Sequence, residues 1–593
     1  MRKFRFSVLV LLLSGFISIT GFAQEKYIEG VKKDIGFLAS DSLKGRKPGT
    51  PEMLTAAKYI STQFQNAGLT LINGDGFQSF EVVTDVTPGN SNEFSFNSRV
   101  LKMKEDFIPY SFSENKALDA SVVFAGYGFD FKTDSLVRND YAGIDVKGKW
   151  VMLLRGYPES GKKNDIYSNY ASDRGKVVVA KDKGAAGVLF VTGPAMDKND
   201  ELVSLFYDKS KAGGGIPVFN IKRKIADSIL SSVSKTIAKL EKDASSENAI
   251  TGIAIPTVVH AQSDLLLTRV STNNVIGELS GSNPSLKDNY IVVGAHYDHL
   301  GMGGHGSGSR KPDTNAVHNG ADDNASGVAC IIDIANRFFK TKKRPDYSVI
   351  FVAFSGEELG MLGSTAFLAK PPVDKSKIKL MMNFDMVGRL NPKTKTISVS
   401  GNGTFKEAET LIRSHNDSTK MKITLHPEGY GPSDHAAFYS DNIPVLYFTT
   451  GVHGDYHTPE DDADKIDNNG VDMIAALAYD LLLDAGSGKY PMAFKEAGPK
   501  VKTSTRAGLK VTLGIMPDFT SEENKGLGVG GVTKDGPADH GGMKKGDVIT
   551  AIDGKTVTNI YDYMERLKNL TPGQRTSVDI IRDGKKEILI IQL

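Results

Sequence analysis

Apolar residues recur at helical spacing near the start of the chain, at Ile28, Val31, Ile35 and Leu38 and again at Ala56, Ile60 and Phe64. Residues three and four apart share one helix face, so the pattern predicts two amphipathic helices. Between them, Lys44-Gly45-Arg46-Lys47-Pro48-Gly49 combines glycine, proline and charge and reads as an exposed loop. From about Ser98 to Val258 the pattern changes to strand-length runs such as Ser121–Phe124 and Lys149–Leu154. With a helix through Arg174–Lys183 leading into a further apolar run, these make a separate α/β unit. Between Asn274 and about Gly486, apolar strands alternate with helices: Tyr290–Ala295, Ala325–Phe339, Val349–Ser355, Lys379–Asp385, Ile397–Ser400, Pro444–Thr449 and Val471–Leu483. This rhythm predicts a mostly parallel sheet sandwiched by helices. A Gly-, Lys-, Pro- and Ser-rich stretch then leads into a last unit of short strands with one helix near Ile560–Leu567.

Residues 1–23 stand apart. Arg2, Lys3 and Arg5 precede an apolar run from Phe6 to Leu13, and Gly21-Phe22-Ala23 supplies small residues for cleavage, the pattern of a secretory signal peptide. The alternative is an uncleaved membrane anchor, against which the run is short and broken by Ser14, Gly15 and Ser18. The expected location is therefore periplasmic or extracellular, with no transmembrane span once the leader is removed. Removal takes three positive charges, and the formal charge falls from +2 to −1. That balance excludes a basic nucleic-acid-binding surface as the main function. With 593 residues the chain needs several cores. Its one cysteine, Cys330, allows no internal disulfide and no thiolate metal cluster, so any metal must be held by His, Asp and Glu.

Five segments of the α/β unit carry such residues: His296-Tyr297-Asp298, Asp322-Asp323 within Gly320–Gly327, Glu357-Glu358, Asp385, and Tyr456-His457. Most follow predicted strands, and ligands of open α/β sheets gather at the carboxyl ends of strands. Taken singly, an Asp after a strand is more often a helix cap.

In order and spacing, these five segments resemble the two-zinc aminopeptidases, relatives of glutamate carboxypeptidase and the transferrin receptor, over roughly residues 26–90 and 265–485. The resemblance implies a zinc exopeptidase fold and two Zn2+ per chain. It implies Asp323 as the carboxylate bridging both ions, His296 and Asp385 as ligands of one, and Glu358 and His457 as ligands of the other. Asp323 rather than Asp322 takes the bridge because the family pattern is Gly-Ala-x-Asp, with the following peptide bond often cis. Glu357 would take a proton from the attacking water and return it to the leaving amine. Tyr456 matches a position whose hydroxyl stabilises the oxyanion in some relatives, and a packing role is its alternative. Asp298 could accept the second ring N–H of His296, or serve as a surface cap. Gly431-Pro432-Ser433-Asp434-His435 resembles a family segment near the substrate pocket, and it and His453 are left outside the metal shell.

Residues 98–260, with Ala125-Gly126-Tyr127-Gly128 and Gly148-Lys149-Trp150, resemble an inserted protease-associated domain, either a gate over the active site or a structural lid. Residues 507–593 resemble a C-terminal PDZ-like β domain through Leu513-Gly514-Ile515, Gly536-Pro537-Ala538 and Gly546-Asp547-Val548-Ile549. The resemblance implies binding of a peptide C-terminus along a sheet edge at Leu513–Ile515. The expected organisation is a signal peptide (1–23), the N-terminal part of the peptidase (24–97), the insert (98–260), the catalytic domain (261–490), a linker (491–506) and the PDZ-like domain. The expected activity is removal of N-terminal residues from peptides. Its alternatives are a carboxypeptidase or dipeptidase of the same fold, and a catalytically silent peptide-binding protein.

Overall fold

The computed structural model describes residues 25–132, 136–158, 167, 170–207, 215–245, 252–498, 511–518, 526–533, 536–557, 563, 566–567 and 570–593. The leader read at 1–23, the end of the linker from 499, and most of the helix read near 560–567 lie outside the described residues. Among the described residues no helix is long and apolar enough to cross a membrane.

The catalytic unit is built on a nine-stranded sheet. At its centre Ser348–Phe354, Tyr290–His296, Ile378–Phe384 and Val445–Thr449 run parallel, in that spatial order. Antiparallel strands flank them: Leu265–Leu279 on one side, and Thr396–Ser400 with its parallel partner Lys422–His426 on the other. Runs such as Val-Ile-Phe-Val-Ala-Phe are apolar throughout because both faces are covered. Alternate residues serve two cores: Val293, Phe351 and Met382 face the helices Pro51–Asn66, Gly327–Thr341 and Asn468–Ala485. Val292, Val352 and Met381 face the layer that contains Phe367 and Phe438. The four central strands therefore end together at one edge.

The insert has its own eight-stranded sheet, with Ala117–Phe124, Trp150–Leu154, Gly187–Val191 and Val218–Ile221 parallel at its centre. Strand Glu93–Phe96 also belongs to it. Trp150 is fully buried in its core and donates its indole N–H to the Val259 carbonyl at 3.0 Å. The insert leaves and rejoins the catalytic unit through one ribbon, in which Phe77–Pro88 pairs antiparallel with Leu265–Leu279 over eleven residue pairs. The last unit carries a six-stranded sheet around Leu527, Val529, Ile549, Val578 and Ile580. Ile515–Asp518 is one of its edge strands.

One expectation fails in the first segment. Helices form at 25–38 and Pro51–Asn66, but the connection between them is not an exposed loop. Leu43, Gly45 and Arg46 are buried. The Arg46 guanidinium donates to the carbonyls of Leu38, Tyr297, Asn319 and Gly320 at 2.5–2.9 Å, stitching this connection to two loops at the sheet's carboxyl edge. Gly45 has φ +68°, and a Cβ there would lie 2.4 Å from the Gly301 carbonyl oxygen, so only glycine fits.

Candidate metal centre

All five predicted ligands converge where the parallel strands end. His296 is the last residue of its strand, Asp385 follows Phe384 directly, and Glu358 lies four residues beyond Phe354. His457 comes from the loop after Val445–Thr449, and Asp323 from the irregular turn Ala321–Ser326 that opens the helix Gly327–Thr341. The Asp323–Asn324 peptide bond is cis.

The Asp323 carboxylate divides between two groups. Its Oδ1 lies 3.2 Å from His296 Nε2, which is 3.5 Å from Asp385 Oδ1. Its Oδ2 lies 3.1 Å from His457 Nε2, which is 3.2 Å from Glu358 Oε1. Two donors about 2.1 Å from one ion at a tetrahedral angle lie roughly 3.4 Å apart, so these spacings fit ligation. Asp385 Oδ1 is buried without a hydrogen-bond partner, which suits an oxygen available to a cation. Electrostatics agree. Burial alone would push the Asp323 carboxyl up, but the hydrogen bond from His296 and the charges of His299 and His457 hold it well below the carboxylate range. Burial would lower the His457 imidazole, yet Glu358 and Asp323 push it up to about 11. So much negative charge in one desolvated place needs positive charge beside it.

The surroundings hold the loops rather than the metals. His296 Nδ1 pairs with the main-chain carbonyl of Asp298 at 3.1 Å, while the Asp298 carboxylate stands 3.7 Å away. This corrects the expected side-chain contact. The Asp298 carboxylate instead accepts the backbone N–H groups of Glu357 at 3.1 Å and Glu358 at 3.3 Å, fixing both residues beside the centre. Asp461 does the same for the turn bearing Asp323: its Oδ2 accepts the N–H groups of Asp322 at 2.9 Å and Asp323 at 3.0 Å. Sequence reasoning missed it, although its place four residues after His457 was a signal. His457 Nδ1 pairs with the Gly308 carbonyl at 3.1 Å.

Tyr456 stacks on His457, with ring centroids 3.8 Å apart and 22° between planes. Burial first, then the carboxylates of Asp323, Glu358, Glu357 and Asp385, push its phenol well above the usual value, so it stays protonated at neutral pH. Glu357 sits among the same carboxylates, and burial outweighs the nearby His296 to push its carboxyl well up. Asp434 and His435 are buried beside the centre, His435 stacked on Tyr447 at 4.3 Å. His453 Nε2 meets the buried Asp322 at 3.1 Å, outside both donor groups. A cleft of about 240 Å³ opens from His299 and Glu358 and is walled by Lys47, Asp85, and Phe206 and Tyr207 of the insert. His299 itself was not among the predicted residues.

A mixed sheet with a parallel centre whose strand ends gather two overlapping histidine–carboxylate groups defines the class: a zinc-exopeptidase-type α/β domain. Comparison with known proteins agrees. Residues 274–482 match the model for peptidase family M28, residues 118–229 that for the PA domain, and residues 511–593 that for the PDZ domain. The catalytic unit is thus similar to peptidase family M28, and it is accompanied by an insert that matches the PA domain and a C-terminal unit that matches the PDZ domain. It is 24% identical over 387 residues to an aminopeptidase of Bacillus subtilis (strain 168), covering 62% of this chain and 68% of that one. It is 31% identical over 360 residues to an aminopeptidase of Pseudomonas aeruginosa (strain UCBPP-PA14), covering 60% of this chain and 56% of that one. A leupeptin-inactivating enzyme of Streptomyces exfoliatus is matched over only 34% of its length. Among solved structures, the aminopeptidase from Aneurinibacillus sp. strain AM-1 aligns at 20% identity with a TM-score of 0.47, over 80% of this chain and 95% of that one.

Proposed function

We propose that the protein is an exported zinc aminopeptidase that uses two metal ions and takes Glu357 as its general base. The observation that carries this reading is the division of the Asp323 carboxylate, one oxygen toward His296 and the other toward His457. His296 and Asp385 would hold one ion, Glu358 and His457 the other, and Asp323 both. Bound there, the pair would supply Lewis acidity and bring the pKa of a water to about 7. Imidazole and carboxylate donors with no cysteine suit zinc.

The remaining groups divide the proton and charge work. Glu357, its backbone anchored by Asp298, accepts a proton from the attacking water and returns it to the leaving amine. Tyr456 keeps its proton and donates a hydrogen bond to the oxygen on which charge develops. Substrate enters by the cleft between the Gly-rich loop around Gly303–Ser307 and the insert's Phe206 and Tyr207. The relatives named as aminopeptidases support cleavage at the N-terminus, and the positively charged, apolar leader supports export.

The test is hydrolysis of aminoacyl-arylamides and of N-blocked peptides, with and without a zinc chelator. Chelator-sensitive release from free N-termini alone is expected. Release from C-termini would replace the reading with a carboxypeptidase. Glu357→Gln should retain zinc and lose about 10²–10⁴-fold in kcat, and a variant as active as the wild type would remove Glu357 from the mechanism.

A further inference from the structure

We propose that Lys47 is a specificity-determining residue: its ammonium takes a carboxylate on the leaving side of the scissile bond, so that short or acidic peptides are preferred. The inference rests on the aminopeptidase reading. The cleft that opens from Glu358 and His299 has a volume of about 240 Å³, and Lys47, Asp85 and His305 are the other charged or titratable residues of its wall. His305 meets Asp313 at 2.9 Å, and the Asp85 carboxylate accepts the N–H of Val86 at 2.8 Å. Lys47 is exposed, and among the described residues no carboxylate forms an ion pair with its ammonium, whereas Lys44 in the same connection is held by Glu52 at 2.8 Å. The cleft therefore offers one ammonium that is not already engaged.

The main chain at Lys47 is fixed while its side chain is left to the cleft. On one side stands Arg46, tied to four carbonyls. On the other, the Lys47 carbonyl accepts the N–H of Thr50 at 3.3 Å and its hydroxyl at 2.8 Å, and Thr50 caps the helix Pro51–Asn66. The stem starts against Gly301, where a Cβ would come 3.0 Å from the Lys47 Cβ. A cation on a fixed base loses less freedom when a ligand arrives than one on a mobile loop. The cleft, at about 240 Å³, is smaller than the roughly 300–1,000 Å³ of sites for drug-sized ligands, so it takes a residue or two beyond the scissile bond. In a dipeptide or tripeptide the C-terminal carboxylate falls within that reach, and in a longer chain only an acidic side chain does. Both present the same group to Lys47. Asp85 works against it, because its charge repels a carboxylate brought into the same cleft.

The experiment measures kcat/KM of the full zinc-loaded mature protein on a tripeptide ending in Gly-Gly, as the free acid and as the C-terminal amide, and on the amide with glutamate in place of the middle glycine. The wild type should prefer the free acid to its amide about 5- to 20-fold, between the effect of an exposed ion pair and that of a desolvated charge-assisted hydrogen bond. High salt should shrink the preference. Lys47→Met, which keeps the stem, should bring the acid-to-amide ratio to about one, and Lys47→Arg, which keeps the charge, should retain it. Lys44→Met, outside the cleft, should leave the ratio as it is, and Asp85→Asn should raise it. A gain from glutamate that vanishes in Lys47→Met would assign the acidic side chain as a second source of the carboxylate. Equal rates on acid and amide with no gain from glutamate, or a preference that survives in Lys47→Met, would overturn the proposal and leave the aminopeptidase standing. A wild type that cleaves neither these peptides nor any aminoacyl-arylamide would remove the aminopeptidase reading itself, and this proposal with it.

Discussion

Arg46→Met deletes a guanidinium that donates to four main-chain carbonyls, those of Leu38, Tyr297, Asn319 and Gly320, while keeping an apolar stem of similar length. A hydrogen bond from a charged donor contributes about 1.5–3 kcal/mol, so four would amount to about 6–12 kcal/mol. Against this, the variant no longer desolvates a charge, which recovers several kcal/mol. The expected loss of stability is about 3–5 kcal/mol, a large share of the about 5–15 kcal/mol that holds a typical domain together. Burial pushes the Arg46 guanidinium down to about 10, with Asp323, Asp298, Asp461 and Glu358 opposing. It is thus charged in folded and unfolded chains alike at neutral pH, and the loss should not vary between pH 6 and 8. Only above about pH 10, where the folded chain has released the proton and the unfolded chain has not, does its titration make stability rise with pH. Urea denaturation of the metal-free protein, followed by circular dichroism, measures the loss. Fluorescence of Trp150, the only tryptophan, reports on the insert and should show an unchanged transition. A loss below about 1 kcal/mol, or an equal shift in the tryptophan signal, would refute the assignment of Arg46 as the clamp of the catalytic unit.

Other perturbations follow the same reasoning. Asp461→Ala strands the N–H groups of Asp322 and Asp323 and should weaken zinc binding about 10–100-fold in chelator competition while the insert stays folded. Asp34 is buried and accepts the Tyr59 hydroxyl at 2.6 Å, and desolvation pushes its carboxyl from 3.8 up to about 6. The protonated acid stabilises the fold fully below pH 3.8, and that contribution is lost as pH rises through 6. Asp34→Asn should flatten the pH dependence of the melting temperature between pH 4 and 6 and stabilise the protein at pH 7 by up to about 3 kcal/mol. Phe206→Ala removes an aromatic wall of the cleft and should raise KM for tri- and tetrapeptides about 5- to 30-fold, from about 1–2 kcal/mol of lost apolar contact. Steady-state kinetics on an aminoacyl-arylamide should be unaffected by it.

The catalytic unit was legible because its information is local: apolar runs bounded by turns announce strands, and acidic or histidine residues placed just past them announce a site. The five segments that carry His296, Asp323, Glu357-Glu358, Asp385 and His457 were found that way, and the resemblance supplied the role expected of each residue. Arg46 was misread because Lys-Gly-Arg-Lys-Pro-Gly has the composition of a surface turn, and three of the four carbonyls that hold it belong to residues more than 250 positions away. Nothing in the local pattern encodes them. Asp298 was given the right neighbourhood and the wrong partner, since which atom of a residue faces a histidine depends on the backbone path rather than on spacing. His299 lay three residues after a predicted ligand and was passed over because a second histidine there is indistinguishable, in sequence, from a packing residue. The short elements Leu362–Ala369 and His435–Ser440 lack the length that makes helical periodicity readable.

The paired strands that carry the insert also set an order of events. The helix Pro51–Asn66 packs on Leu265–Leu279, and Thr70–Leu71 hydrogen-bonds to it, so the first part of the peptidase has no sheet to join until the chain has been made past residue 279. The insert needs nothing outside itself, because its core is closed by Glu93–Gln262. During synthesis it is the unit that can finish first, and its completion brings the two halves of the ribbon to one point. What divides the peptidase in sequence thereby becomes the device that reunites it, and a defect in the insert's core should be read as failed assembly of a metal site to which that core contributes no ligand.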